Sequence, residues 1–475
     1  MTAASVFAVV MIGLQGLAAI ELLVGMRRLG LARACAAALP IGLVAHATLA
    51  LPLYLAGLAV SQGSAVLQLV LLGVAAWVAA RRRPAPIPPA REPREQRAPR
   101  THPWRAGERL AAGLIVLVLV AIAVTAALEP PVEWDLLAIW GLKAKALGVS
   151  GTGLELLRAP AFAYAHPDYP LAWPLALALE PAFTARAPVG GGGFLGAAML
   201  AATAGFAAVM LRRWGRRAAL AGAGLLALMP LAGAQAVRGQ ADLPLAALFL
   251  VAAGLLCAWT EERDDAALAV GVVATAGLAI VKQEGMALAA ALAALSLIRA
   301  PAGRRLRLTG ALGAAFLAVV LPWLFLRSTL PAGAANSFTD MTPVRALTGL
   351  TRLPELLAAL PLYLGAPADW GAFWLLVGLA LAGLAAGRRR LLQETWLAVV
   401  LLGPVPLYLL ALSATAWEPA RIAEVTLSRL ALHFAPLATV IAVAVAARYG
   451  TFGREPGSLS AAAGRALHEG FEGPE

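Results

Sequence analysis

Lysine is almost missing from this chain. Of its 38 basic residues only Lys143, Lys145 and Lys282 are lysine, and the other 35 are arginine. Charge of either sign is scarce, at 13% of 475 residues. A soluble domain carries about 25% charged residues, so an ordinary water-soluble globule is excluded. Cysteine is limited to Cys35 and Cys257, both in or beside apolar runs and without metal-ligand neighbours. No disulfide framework or cysteine metal site follows from that spacing. Strict alternation of apolar and polar residues is absent too, which argues against a membrane β-barrel. The first apolar run, Ala3 to Met26, has neither a basic leader nor a small-residue cleavage site. It reads as a retained helix rather than a signal peptide.

Apolar sequence fills the space. Hydrophobic residues make up 61% of the chain and the mean hydropathy is +0.79. Runs of about 20 apolar residues recur, the signature of transmembrane helices. In lipid each span must satisfy its own backbone polar groups, so these runs are expected to be helical. The formal net charge of +12 raises the question of nucleic acid. Its arginines, however, lie in short clusters between apolar runs, as the positive-inside rule expects, and suit contact with anionic lipids. No nucleic-acid partner is expected.

The predicted architecture is an all-α polytopic membrane protein with about 13 transmembrane helices. Residues 1–80 hold three spans. Residues 81–109 contain nine arginines and seven prolines and form an extended cytoplasmic linker. Residues 110–300 form a membrane core with a large external loop at 129–193. Residues 301–447 supply the C-terminal spans, and 448–475 form a polar cytoplasmic tail. The segment Leu171 to Thr184 is interrupted by Pro174 and Pro181 and reads as a juxtamembrane half helix. If it crossed, the cluster Arg212, Arg213, Arg216 and Arg217 would fall outside. With this topology all three lysines lie on the external side. The acidic turn EERDD at 261–265 then lies inside, where acids contribute little to the charge rule.

Ionisable residues gather on the external face. Glu133 and Asp135 sit just past the end of a span, where a carboxylate can act as general base for an acceptor hydroxyl or amine. Asp135 could equally be a helix N-cap for the following LLAIWGLKAKAL. Lys143 and Lys145, two apart, point to different sides of a helix, so one can meet a phosphate while the other faces solvent. Snorkelling is the plain alternative. In His166-Pro167-Asp168-Tyr169-Pro170 two prolines stiffen the chain around three functional side chains, or simply make a turn. Arg238 and Asp242 in VRGQADLPLA, and Lys282 and Glu284 in VKQEG, are ionisable groups at span ends, which mark a cavity or pathway. Arg429 and His433, four apart, share a helix face and could bind a lipid phosphate.

In their order along the chain these motifs resemble those of the GT-C type integral-membrane glycosyltransferases, family 39-like, of the protein mannosyltransferase and aminoarabinose transferase type. The matching positions are Asp135, the stretch HPDYPL, the turn RRWGRR, Asp242 in GQADLPLA and Lys282 in VKQEG, within residues 110–300. The chain departs in having Glu-Trp-Asp for an Asp-Glu pair, His-Pro-Asp for His-Pro-Pro, three additional N-terminal spans and no large soluble C-terminal domain. The resemblance implies a GT-C-like fold in a bacterial inner membrane. It implies inverting transfer of a sugar from a polyprenyl-phosphate donor to a lipid, glycan or protein acceptor of the cell envelope. Asp135 and Glu133 are then the catalytic pair. Lys143, His166, Asp168, Tyr169, Arg238, Asp242, Lys282, Glu284, Arg429 and His433 are the substrate-binding set, with Lys282, Arg238 and Arg429 on the donor phosphate. No cofactor is implied, and clamping the phosphate charge makes a metal non-obligatory. The alternative is a transporter or flippase of lipid-linked glycans, which also needs intramembrane charge and should show two related halves.

Overall fold

A computed structural model describes residues 3–58, 60–83, 103–129, 133–149, 153–179, 191–331, 333, 342–386, 392–415 and 417–449. Among these residues there is no β-strand. The first helices are α1 (Ala3–Leu23), α2 (Leu31–Leu55), α3 (Gln62–Arg82) and α4 (Ala106–Leu128). A π-helical turn, Asp135–Trp140, runs directly into α5 (Gly141–Val149), and α6 (Ala172–Leu177) follows. The core continues with α7 (Gly191–Leu211), α8 (Arg216–Ala227), α9 (Pro230–Arg238), α10 (Asp242–Glu262), α11 (Asp265–Val281) and α12 (Glu284–Arg299). The C-terminal part comprises α13 (Ala302–Ala315), a second π-helical turn, α14 (Leu321–Arg327), α15 (Leu353–Leu364) and α16 (Phe373–Ala386). It closes with α17 (Leu392–Leu402), α18 (Val405–Ser413), α19 (Pro419–Leu432) and α20 (Ala435–Arg448).

The described residues hold eight helices long and apolar enough to cross a membrane, or up to ten if each bent pair is one span. The bent pairs are α8–α9, broken by 57°, and α19–α20, broken by 53°. The expected count of about 13 spans is therefore not reached among the described residues, and three helices expected to span fall short of eighteen residues. These are α11 with 17, α12 with 16 and α16 with 14. At 1.5 Å per residue they reach only about 21–26 Å, less than the roughly 30 Å of a hydrocarbon core.

Burial orders the bundle. In α10, 94% of the apolar window is buried, against 6% for α4. Both helices are apolar on every side, as a core helix or a lipid-facing span must be, so packing separates them, and α10 is packed by α7, α11 and α12 among others. Helix α4 instead shows most of its surface to the surroundings. The N-terminal spans are not an appendage, because α2 is 72% buried and packs against α7 and α6. Helix α6 covers the described part of the segment read as a juxtamembrane half helix, whose residues from 180 onward lie outside the described residues, and all six of its residues are buried. Trp173 Nε1 donates to the Gly239 carbonyl at 2.9 Å, and the Leu175 carbonyl lies 3.3 Å from His46 Nε2 of α2.

The two ends of the bundle differ in charge. At one end the acidic turn is gripped by arginines from four other places. Arg33 pairs with Glu262 at 2.9 Å and Asp264 at 3.0 Å, Arg213 with Glu262, Arg299 with Glu261 at 2.7 Å and Arg307 with Asp265 at 2.8 Å. Asp264 also caps α11, accepting from the Ala266 and Ala267 amides. The acids at 261–265 are therefore partners of the arginine end rather than an exception to it. The other end, where α10 begins, carries the lysines.

Candidate functional site

The site is built where the central helix starts. Asp242 is the first residue of α10 and is fully buried. Because α11 runs antiparallel to α10, its last turn delivers Lys282 to the same level. Lys282 Nζ lies 2.7 Å from Asp242 Oδ1 and 3.0 Å from Glu284 Oε1, with only 6% of its side chain exposed. The bend between α19 and α20 brings in the remaining groups. His433 Nε2 lies 2.9 Å from Asp242 Oδ1. Arg429 donates to Asp242 Oδ2 from Nη2 at 3.0 Å and from Nε at 3.3 Å. Arg429 in the last turn of α19 and His433 just past its end thus converge on one carboxylate, Asp242, where the sequence offered them to a lipid phosphate.

Arg429 links this buried cluster to the external loop. Its Nη2 also reaches Asp135 Oδ2 at 2.7 Å. Both side chains are partly exposed, 21% for Arg429 and 24% for Asp135, whereas Asp242 shows nothing. Asp135 opens the π-helical turn, and its carboxylate meets a guanidinium rather than the amides of its own helix. Wide turns of this kind recur at functional sites because the additional residue redirects side chains. The cap alternative therefore describes the position of Asp135 but not the partner of its carboxylate.

The two loop lysines face different ways, as their spacing requires. Lys145 is exposed, while Lys143 is fully buried. Lys143 Nζ donates to the His166 carbonyl at 2.7 Å and lies 5.2 Å from the Trp140 ring centre and 5.4 Å from that of Tyr169. Burial pushes its ammonium down to about 7, against the pull of Asp168. This lysine is a strut inside the loop, not a headgroup contact. It fixes His166, whose backbone is left-handed at φ 49° and whose ring stacks on Tyr169 with centres 4.6 Å apart. Burial holds the His166 imidazole below its ordinary value and raises the Tyr169 phenol. Asp168 Oδ2 accepts from Gln283 Nε2 at 3.2 Å, which ties this loop to the residue beside Lys282.

Glu133 and Arg238 stand apart from the buried cluster. They form their own ion pair at 2.9 Å, with 32% and 44% of their side chains exposed. The structure thus joins Asp135, Asp242, Lys282, Glu284, Arg429 and His433 in one connected group. It sets Lys143, His166, Asp168 and Tyr169 in an adjoining one, and Glu133 with Arg238 at the rim.

Two participants escaped the sequence reading. Tyr408 of α18 places its hydroxyl 3.0 Å from His433 Nδ1. A tyrosine inside an apolar helix gives no polar interruption by which to notice it. The chain at Gly333 passes so close to the loop that an added Cβ would stand 2.4 Å from Asp168 Oδ1 and 2.7 Å from His166 Nδ1. Only a residue without a side chain fits there, and PAGAANS looks in sequence like any loop. Among the described residues no group of three His, Cys, Asp or Glu is placed to hold a metal ion.

Chemically, the arrangement offers a carboxylate and a guanidinium side by side at an edge, with the guanidinium anchored from behind by a buried carboxylate. No protein-family model, curated protein or solved structure matches the chain.

Proposed function

We propose that the chain is a membrane glycosyltransferase that moves a sugar from a polyprenyl-phosphate donor to an acceptor at the lysine-bearing end of the bundle. That end is assigned to the external face of a bacterial inner membrane, because arginine clusters favour the inside. The observation that carries the reading is the Asp135–Arg429 pair at 2.7 Å, set against the buried Asp242 and Lys282.

Asp135 takes the proton from the acceptor hydroxyl or amine as that atom attacks the anomeric carbon. The bond between that carbon and the phosphate oxygen breaks, and the electron pair leaves with the polyprenyl phosphate. Inversion at the anomeric carbon follows from the single displacement. Arg429 receives the developing phosphate charge. Its bonds to Asp242 and Asp135 use Nε and Nη2, leaving the Nη1 edge for an oxyanion. A guanidinium already held by Asp242 needs no reorganisation during the reaction, which is the condition under which such a group stabilises a transition state most. Arg238 and its partner Glu133 lie at the rim for the outer part of the headgroup. Lys282, held between two carboxylates, acts through Asp242 as a positioning residue.

A second reading as a transporter or flippase of lipid-linked glycans draws on the break of 53° at His433, since discontinuous helices line transport sites. Turnover separates the two. In detergent with a polyprenyl-phosphate sugar, Asp135→Asn is expected to fold and to lose roughly 10²–10⁴-fold in transfer rate, the usual weight of a general base. Unchanged transfer in both Asp135→Asn and Glu133→Gln defeats the mechanism. Glycan movement across liposomes without glycosidic bond cleavage supports the transporter.

A further inference from the structure

Helix α4 packs against α7, α8 and α9 but leaves grooves beside it. Between it and the bent pair α8–α9 runs a groove of about 660 Å³. Its floor is apolar, with Val118, Ile122, Met229, Pro230 and Gly233 among its residues. A second groove of about 740 Å³ continues along α4 towards the arginine end and shares Val118 and Leu228 with the first. Helix α4 has 23 residues, about 34 Å at 1.5 Å each. The apolar trough therefore has the depth of a hydrocarbon leaflet on either side of its middle.

The mouth at the lysine end is charged, and its balance is specific. It holds Glu129, Glu133 and Arg238, two carboxylates against one guanidinium. Arg238 is already paired with Glu133 at 2.9 Å. Glu129, the residue that ends α4, is exposed at the same mouth, and among the described residues no salt bridge engages it.

We propose that this groove seats a membrane phospholipid with a zwitterionic headgroup bearing a primary amine, acyl chains along α4 and headgroup at Glu129 and Arg238. The charge balance selects it. An anionic headgroup would add a second net negative charge to a mouth that already carries one. A phosphoethanolamine headgroup offers its phosphate to Arg238 and its ammonium to Glu129, with three N–H donors for carboxylate oxygens. A choline headgroup has the same net charge and no N–H, so it forms the weaker contact. Gly233 lines the floor facing Ile122; a Cβ there would make an ordinary contact at 3.4 Å, and only a large side chain would reach into the trough. The seat shares its rim pair, Glu133 and Arg238, with the proposed donor site but not Asp135 or Arg429, and its binding test does not depend on the transferase reading.

The test measures binding, not turnover. Full-length protein in nanodiscs of equimolar phosphatidylethanolamine, phosphatidylcholine and phosphatidylglycerol, with identical acyl chains, is released for native mass spectrometry and its retained lipids counted by headgroup. Phosphatidylethanolamine is expected to be enriched over both others. Glu129→Gln, at an exposed position, is expected to lower that enrichment over phosphatidylcholine by up to about fivefold, the weight of one exposed ion pair. Gly233→Phe is expected to lower retention of all three. Enrichment of phosphatidylglycerol, retention without headgroup preference, or a preference untouched by Glu129→Gln overturns the proposal. Should Gly233→Phe fail to fold, the Glu129→Gln comparison decides alone.

Discussion

Asp242→Asn is the perturbation that most directly tests how the site is held together. Asparagine has nearly the same shape, so packing at the start of α10 is kept, while the charge is lost and one acceptor oxygen becomes an NH2 donor facing a donor. Asp242 is fully buried and faces Lys282 at 2.7 Å, Arg429 at 3.0 Å and His433 at 2.9 Å. Removing one partner of a buried ion pair typically costs about 3–5 kcal/mol, because the other charge stays buried without compensation. Here each cation keeps a second carboxylate. Lys282 retains Glu284 at 3.0 Å and Arg429 retains Asp135 at 2.7 Å. The lower end, about 3 kcal/mol, is therefore expected, roughly a hundredfold in the ratio of folded to unfolded protein. Asp135→Asn makes the same chemical change at a partly exposed pair and is expected to cost about 1 kcal/mol or less. Purified variants in one detergent, followed by thermal melting and by chemical denaturation, give the comparison. The double variant Asp242→Asn/Lys282→Met should cost less than the sum of its parts, because the groups touch. Wild-type melting of Asp242→Asn, or an equal loss in Asp135→Asn, refutes the assignment of Asp242 as the buried anchor.

Other outcomes follow from the same geometry. Lys143 has a folded-state pKa lowered from 10.5 to about 7, so below pH 7 it is charged in both states and its full burial cost is present. As pH rises from about 7 towards 10.5 only the unfolded state binds the proton, and the wild-type protein gains stability; Lys143→Met should therefore be the more stable protein below pH 7, by at most about 5 kcal/mol, with the advantage fading above it, and a pH-independent difference in melting temperature contradicts this. Gly333→Val should displace His166 and Asp168 and impair transfer without changing the arginine end, which the Asp135→Asn assay reads directly. Cysteines at Lys145 and at Gly303, placed singly in a Cys35→Ala background, should label from opposite sides of sealed vesicles; labelling of both from one side removes the topology.

The reach of the sequence can be judged from particular residues. Helices such as α2, α7 and α10 are legible because a lipid-facing or core-facing span must be apolar over its whole length and satisfy its own backbone. The prolines of Leu171 to Thr184 point to a short element there, although Pro174 itself sits within α6 and Pro181 lies outside the described residues. Asp135, Asp242, Lys282, Arg429 and His433 stand out because an ionisable residue at the edge of an apolar run is costly unless something compensates it. The compensation itself is not local. That one carboxylate, Asp242, gathers Lys282, Arg429 and His433 depends on three helices whose starts and ends are brought level by packing. Nothing in the spacing of residues 242, 282 and 429 states it. The same holds for the burial of Lys143 beside an exposed Lys145, where the helical period separates the two faces but only the fold decides which is inside. It holds also for the acidic turn at 261–265, whose arginine partners come from distant segments, and for Tyr408, whose hydroxyl has meaning only beside His433. The sequence alone determines what each segment can be, through hydropathy and backbone chemistry. The tertiary structure decides which charges meet, because pairing energies are realised only between groups that packing has already brought within hydrogen-bonding distance.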